Sequence, residues 1–320
     1  MRLKLRFLKY GLITAFVFLF SFCPAVLGSP ALYGGCTATD RTLYLTEPRL
    51  TGDDVTELQE RLTVLGYYSG KADGIFDEKT YQAVKNIQAD SKMNPTGEVG
   101  PATWSILAGG IKAPSVPSAS TSQEKPLGKM NILIDTNKKT LVLMEDGNPF
   151  KTFPCAVGKS STPSPIGEWK VIHKGGKWGG GFGDRWMGLN VPWGIFGIHG
   201  TNKPYSIGSS ASHGCIRMFN EHVRILYPYV EIGTPVKIIG EPAMPPGAKY
   251  RKSMHKDASG PDVVQVQLRL KEQGFLLGTA DGRFGPTTEL AVKFFQVRAG
   301  LEDTGVVEKS TYSVLGIEQP

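Results

Sequence analysis

Cys215 lies in the run Ser212-His213-Gly214-Cys215-Ile216-Arg217-Met218, which follows Ile198-His199-Gly200 after a short Gly/Ser-rich loop. One thiol with two imidazoles upstream is the residue set of nucleophilic acyl transfer, in which the thiolate attacks and an imidazole carries the proton. His213 is so close in sequence to Cys215 that an extended path would point both to one face. A base on a separate element leaves the sulfur open, so His199 is expected to be the general base and later acid, and Cys215 the nucleophile. No side chain of the stretch except Asn202 could orient His199, so a backbone carbonyl such as that of Gly200 is expected to do it. The amides of Gly214 and Cys215 are the expected oxyanion donors. Arg217 offers a fork of donors to a substrate carboxylate, with a structural salt bridge as the alternative. His199, His213 and Cys215 read as zinc ligands lack a fourth ligand and a CxxC or HExxH spacing, so no metal and no cofactor is expected. His173, His222 and His255 stand in no motif and read as surface or structural residues.

The elements around this stretch begin with an internal repeat. Asp54-Val55 through Leu107 aligns without a gap on Asp262-Val263 through Leu315, at an offset of about 208 residues and with roughly two in five residues identical. Each copy reads as three helices. The first carries Val55, Leu58, Leu62 and Leu65, or Val263, Val266 and Leu270, and ends at Gly66 or Gly274, where a left-handed cap fits. An Asp-Gly turn follows at Asp73-Gly74 or Asp281-Gly282. The second helix carries Ala83, Val84 and Ile87, or Ala291, Val292 and Phe295, with Pro286 suited to a first helical position. A third short helix is expected near Thr103 and Thr311.

Between the copies the grammar changes. Short β-rich runs at Asn131 to Asp135, Thr140 to Met144 and Phe150 to Val157, with turns at Asn137-Lys138 and Asp146-Gly147, predict an antiparallel meander. Further strands are expected at Glu168 to His173, Ile195 to Ile198 and Pro235 to Ile239, with one helix from Asn220, a good N-cap, to about Tyr227. A Pro/Ser-rich segment over 111–126 and a second segment over 241–258, Pro-rich at its start, read as linkers. The layout is thus a helical domain at 50–110, a central β-domain at 127–240 and a second helical domain at 259–318.

The copies resemble the small three-helix peptidoglycan-binding domain, through Gln59, Gly66-Tyr67, Asp73-Gly74-Ile75-Phe76, Thr80, Ala83-Val84-Lys85 and Gln88. The second copy matches better, with Phe284-Gly285 and Phe294-Phe295-Gln296. The central segment resembles the L,D-transpeptidase (YkuD-type) catalytic domain, through the His199 and Cys215 runs together with Gly158-Lys159, Thr162-Pro163-Ser164-Pro165-Ile166-Gly167 and Arg185-Trp186-Met187-Gly188-Leu189. Pro165-Ile166-Gly167 departs from the commoner Pro-Thr-Gly.

The resemblance implies a multidomain α+β chain, with a mainly-β sandwich catalytic domain between the two helical domains. It implies a cysteine acyltransferase that attacks the bond before the terminal D-alanine of a tetrapeptide stem. D-alanine is released, the stem is held as a thioester, and an amine of a neighbouring stem resolves it into a 3→3 cross-link. His199 is then the base and Cys215 the nucleophile. Gly200, Ser212, His213 and Gly214 line and support the site, and Arg217 and Trp186 stand on the substrate side. The flanking domains would hold wall glycan or peptide. Two other functions compete: an L,D-carboxypeptidase in which water resolves the thioester, and a wall-binding protein whose central domain is inert.

Residues 1–28 read as an export signal, with basic Arg2, Lys4, Arg6 and Lys9 before an apolar run from Leu12 to Leu27 and small residues after it. An uncleaved anchor is the alternative, and the only contact with membrane. The expected location is extracytoplasmic, in the wall or secreted. Four positive charges of the formal +7 lie in this segment, so the remaining +3 gives no reason to expect nucleic acid. Cys23 leaves with the signal, and Cys36, Cys155 and Cys215 form an odd set that suits free thiols better than a disulfide framework. Cys155, in an apolar run, reads as a buried strand cysteine.

Overall fold

A computed structural model describes residues 41–116, 128–176, 180–245 and 247–318. The export segment and Cys36 lie outside these residues. The first repeat forms helices α1 (Asp53–Val64), α2 (Glu78–Asp90) and α3 (Pro101–Leu107). Val55, Leu58 and Leu62 recur at helical spacing and are buried against Val84, Ile87 and Trp104. Gly66, at φ +82°, turns the chain out of α1. Asp77 caps α2 by accepting from the Thr80 amide at 2.8 Å. The buried Gln59 amide ties α1 to the Asp-Gly turn, accepting from Gly74 N at 2.9 Å and donating to Ile75 O and Thr80 Oγ1 at 3.0 Å each.

The central domain contains β1 (Met130–Asp135), β2 (Thr140–Glu145), β3 (Asn148–Pro154), β4 (Val157–Gly158), β5 (Gly167–Gly175), β6 (Trp186–Leu189), β7 (Gly197–Gly200), β8 (Ser210–Ser212), β9 (Ile216–Met218), helix α4 (Asn220–Leu226) and β10 (Pro235–Ile239). One sheet runs β3-β2-β1-β10-β5-β6-β7-β9, and β4 pairs with β8 apart from it. Its register slips between Val171 and His173 of β5. Side chains from both ends, among them Ile132, Leu141 and Phe153 on one side and Met187, Ile198 and Ile216 on the other, enter one core with Val223 and Leu226 of α4. The sheet therefore folds over itself into two layers around a shared interior.

The meander β1-β2-β3 is antiparallel, with Asp146 and Gly147 both at positive φ in its second turn. The run Phe150 to Val157 is not one strand. Pro154 has no amide to continue the ladder, the Cys155 amide turns to Lys139 O at 2.9 Å, and the chain restarts as β4. The pairs β1–β10, β4–β8 and β7–β9 are parallel. The strand expected at Ile195 to Ile198 is displaced to Gly197–Gly200, which places His199 inside it. Asn220 is not an N-cap but the first residue of α4, where its side-chain oxygen accepts from the Asp184 amide at 2.9 Å.

The second repeat forms α5 (Pro261–Glu272), α6 (Pro286–Arg298) and α7 (Lys309–Val314). It reproduces the glutamine clamp, with Gln267 accepting from Gly282 N at 2.8 Å and donating to Thr288 Oγ1 at 3.1 Å. The segment after the first repeat is not a free tether along its whole length: His222 of α4 donates from Nε2 to Pro114 O at 2.8 Å, and Val116 packs on the central core.

Candidate active site

The parallel pair β7–β9 sets the site. Ile198 lies opposite Ile216 and His199 opposite Arg217. Because alternate residues of a strand face opposite sides, burial of both isoleucines in the core turns His199 and Arg217 together to the other face. Cys215 immediately precedes β9, one strand across from His199.

His199 is fixed on several sides. Its Nδ1 lies 2.5 Å from Gly200 O, which as a carbonyl accepts the proton there. Trp186 stacks on the ring, with centroids 5.7 Å apart and planes at 28°, and Phe182 meets it edge-on at 5.0 Å. Burial, with a smaller push from the Arg217 charge, drives this imidazole down to about 3, against the pull of the Gly200 and Phe182 carbonyls. At neutral pH it is therefore uncharged, the form in which it can accept a proton. Trp186 is buried against this ring and so fixes its orientation.

The loop before β9 is closed by its own polar groups. Ser212 Oγ donates to Cys215 O at 2.5 Å and accepts from the Gly214 amide at 3.0 Å. The Gly214 amide, an expected oxyanion donor, is thus used inside the turn, and the Gly200 amide donates to Asp184 O at 3.0 Å. Gly214 has φ +109°, and a Cβ there would sit 2.6 Å from the Phe196 ring, so only glycine fits. The Gly158-Lys159 motif braces the same loop: Lys159 N and Thr162 Oγ1 donate to Ser212 O at 3.0 and 3.1 Å.

Cys215 is buried, with Sγ 3.9 Å from Ile195 O, and it is held in a disulfide. This corrects the expectation of free thiols: among the described residues the free cysteine is Cys155, whose thiol burial pushes up to about 12.

The face carrying His199 and Arg217 is covered by the first repeat. Glu57 of α1 accepts from Arg217 Nη1 at 3.0 Å and from Lys203 Nζ at 2.7 Å. Burial alone would raise this carboxyl, but the charges of Arg217 and Lys203 outweigh it and hold it below its ordinary range. Lys203 also lies 4.3 Å over the Trp104 ring of α3, and Arg61 of α1 lies 4.6 Å over Tyr205. At the rim, His213 Nε2 meets Asp53 Oδ2 at 2.7 Å. Arg217 is thus in an ion pair and His213 faces a neighbouring domain. Lys203, Glu57 and Asp53 carried no motif signal: Glu57 lies in a helix whose other residues explain themselves as core, and Lys203 in an irregular loop.

The YkuD family, described as the L,D-transpeptidase catalytic domain, matches residues 129–238, and the peptidoglycan binding domain matches 51–107 and 259–315. YkuD of Bacillus subtilis (strain 168), named an L,D-transpeptidase, is 35% identical over 167 residues, covering 51% of this chain and 97% of that protein. This chain belongs to the L,D-transpeptidase family. YkuD of Bacillus licheniformis is 39% identical over 153 residues, 48% of this chain and 83% of that one. The crystal structure of the L,D-transpeptidase from Xylanimonas cellulosilytica DSM 15894 is similar at 27% identity and a TM-score of 0.31, covering 59% of this chain and 94% of that chain. As an L,D-transpeptidase with flanking peptidoglycan-binding domains, the protein is an enzyme acting on peptidoglycan, which suits an extracytoplasmic or cell-wall location. Among the described residues no helix is long and apolar enough to cross a membrane, and no cluster of three or more His, Cys, Asp or Glu could hold a metal.

Proposed function

We propose that the protein is exported by its N-terminal segment and, once Cys215 is reduced, forms 3→3 peptidoglycan cross-links through a thioester. The observation that carries this reading is the pairing of β7 with β9, which sets an uncharged His199 one strand from Cys215 with Arg217 on the same face. The neutral imidazole takes the Cys215 proton, and the thiolate attacks the carbonyl before the terminal D-alanine of a tetrapeptide stem. The C–N bond breaks, the imidazolium returns its proton to the departing D-alanine nitrogen, and the stem remains as an acyl-Cys215 thioester. An amine of a second stem then attacks that carbonyl, His199 takes the amine proton, and the Cys215 sulfur leaves. Burial of His199 keeps it a base, while the Gly200 and Phe182 carbonyls stabilise the cation it becomes.

The test is mass spectrometry of a disaccharide tetrapeptide incubated with reduced protein. A product equal to two stems less one D-alanine, lost at least about 1,000-fold in Cys215→Ala and His199→Ala, supports the reading. Tripeptide alone would make the enzyme a carboxypeptidase. Unchanged substrate, with Cys215 no more reactive toward a thiol reagent than Cys155, would leave a wall-binding protein.

A further inference from the structure

Arg217 and Lys203 converge on one carboxylate, and in this structure that carboxylate belongs to the chain itself. Both cations are buried, at 8% and 4% exposure, as is Glu57 at 6%. Burying two cations is unfavourable unless an anion joins them, and under the first repeat Glu57 is that anion. Its position fits the chemistry. Arg217 lies across from His199 and is separated from Cys215 only by Ile216, and the α-carboxylate of a terminal D-alanine is one residue from the carbonyl to be attacked. The second repeat does not share the arrangement: Gln265 stands at the position of Glu57, so nothing in the helical fold requires an acid there.

We propose that Arg217 and Lys203 form a carboxylate subsite for the stem peptide, and that Glu57 of the first repeat fills it as a stand-in when that repeat is docked. This rests on the reading of the protein as an enzyme of peptide stems. The subsite takes a carboxylate by a two-cation clamp in which Arg217 sets direction and Lys203 adds charge. Substrate and Glu57 compete there, because Glu57 accepts from Arg217 Nη1 and Lys203 Nζ.

Binding in a chemically silent background tests this apart from turnover. In the full chain carrying Cys215→Ala, a fluorescent tetrapeptide ending in free D-alanine is compared with its C-terminal amide, and with an analogue amidated at its other α-carboxylate. With Glu57 present, acid and amide should bind equally weakly. With Glu57→Ala or Glu57→Gln, the acid should bind at least about tenfold tighter than the terminal amide, and adding Lys203→Met should remove that preference. A preference that follows the other α-carboxylate would keep the subsite and reassign the group it holds. Equal binding of every peptide in both Glu57 variants would overturn the proposal and leave Glu57 a tether. Loss of folding in both variants would do the same. Absent turnover by the reduced wild type would count against the transpeptidase reading without touching this result.

Discussion

Where the first repeat carries Asp53 and Glu57, the second carries Pro261 and Gln265, and the two copies dock on the catalytic domain by different forces. The first lays a carboxylate across Arg217 and Lys203 beside the active site. The second inserts Val264 into the catalytic core, where it joins Trp193, and adds polar ties: Lys271 to Glu168 at 2.7 Å, Glu168 N to Ala280 O at 2.8 Å, and Arg283 to Asn190 O at 2.8 Å. Burying a valine stabilises by roughly 1.5–3 kcal/mol, all of which is lost on separation. A buried ion pair differs, because its charges regain hydration when they part, so its net contribution is small although removing one partner is severe. If Glu57 leaves the clamp as proposed, one fold provides a fixed attachment away from the chemistry and a releasable one over it.

Five changes would break or sharpen that contrast. The largest effect is expected from Glu57→Ala, which leaves two cations buried without an anion and should weaken docking of the first repeat by about 3–5 kcal/mol. Gln265→Ala should cost under about 0.5 kcal/mol. Hydrogen exchange over α1 and α5 reads both, and comparable losses in the two copies would erase the distinction.

Acid comes next. His199 is held near 3 when folded, against an ordinary value of 6.5, so the unfolded chain binds more protons between those limits and stability falls as pH drops through that window. The slope approaches ~1.4 kcal/mol per pH unit at most. Glu57 acts in the same direction at lower pH: its carboxyl is depressed when docked, so its contribution is present above the ordinary 4.5 and lost as pH falls through the lowered value. Urea unfolding at pH 7 and pH 5 should show the loss in wild type and a flatter dependence in His199→Gln. An unchanged slope in the variant would assign the effect elsewhere.

Val264→Ala should loosen the second repeat by about 1–2 kcal/mol, seen as faster hydrogen exchange over α5, without altering the labelling rate of reduced Cys215. A changed labelling rate would mean that the second dock also reaches the site. Asp53→Asn should have a small effect, below about 1 kcal/mol, because its pair with His213 is exposed. Thermal unfolding measures it, and a larger shift would move the releasable contact from Glu57 to the rim.

Much of the fold was legible because its signals are local. Helical spacing, the glycine ends of α1 and α5 and the Asp-Gly turns each act within one element, and the repeat stated them twice. Strands β6, β8 and β9 were missed because runs as short as Ile216–Met218 are too brief for alternation to register, and parallel pairing joins segments whose spacing holds no clue. His199 and Cys215 stood out by residue type. Their surroundings did not: the clamp on Gly200 O was anticipated, but the Gly214 amide closes a turn, Trp186 stacks on His199, and Arg217 faces a domain about 160 residues away. Contacts between domains leave no mark on either local sequence, and Glu57 was legible only as one more polar residue on a helix.

The disulfide at Cys215 also bears on where and when the chain can act. Compartments outside the cytoplasm favour oxidised sulfur, so on the proposed function a nucleophile stored in this form would be spared the further oxidation that consumes an exposed thiolate. Opening the bond takes two electrons and two protons and yields two thiols, one of them Cys215. On the proposed function, the number of working enzymes would then be set by the electron supply reaching them and not by synthesis of the chain alone.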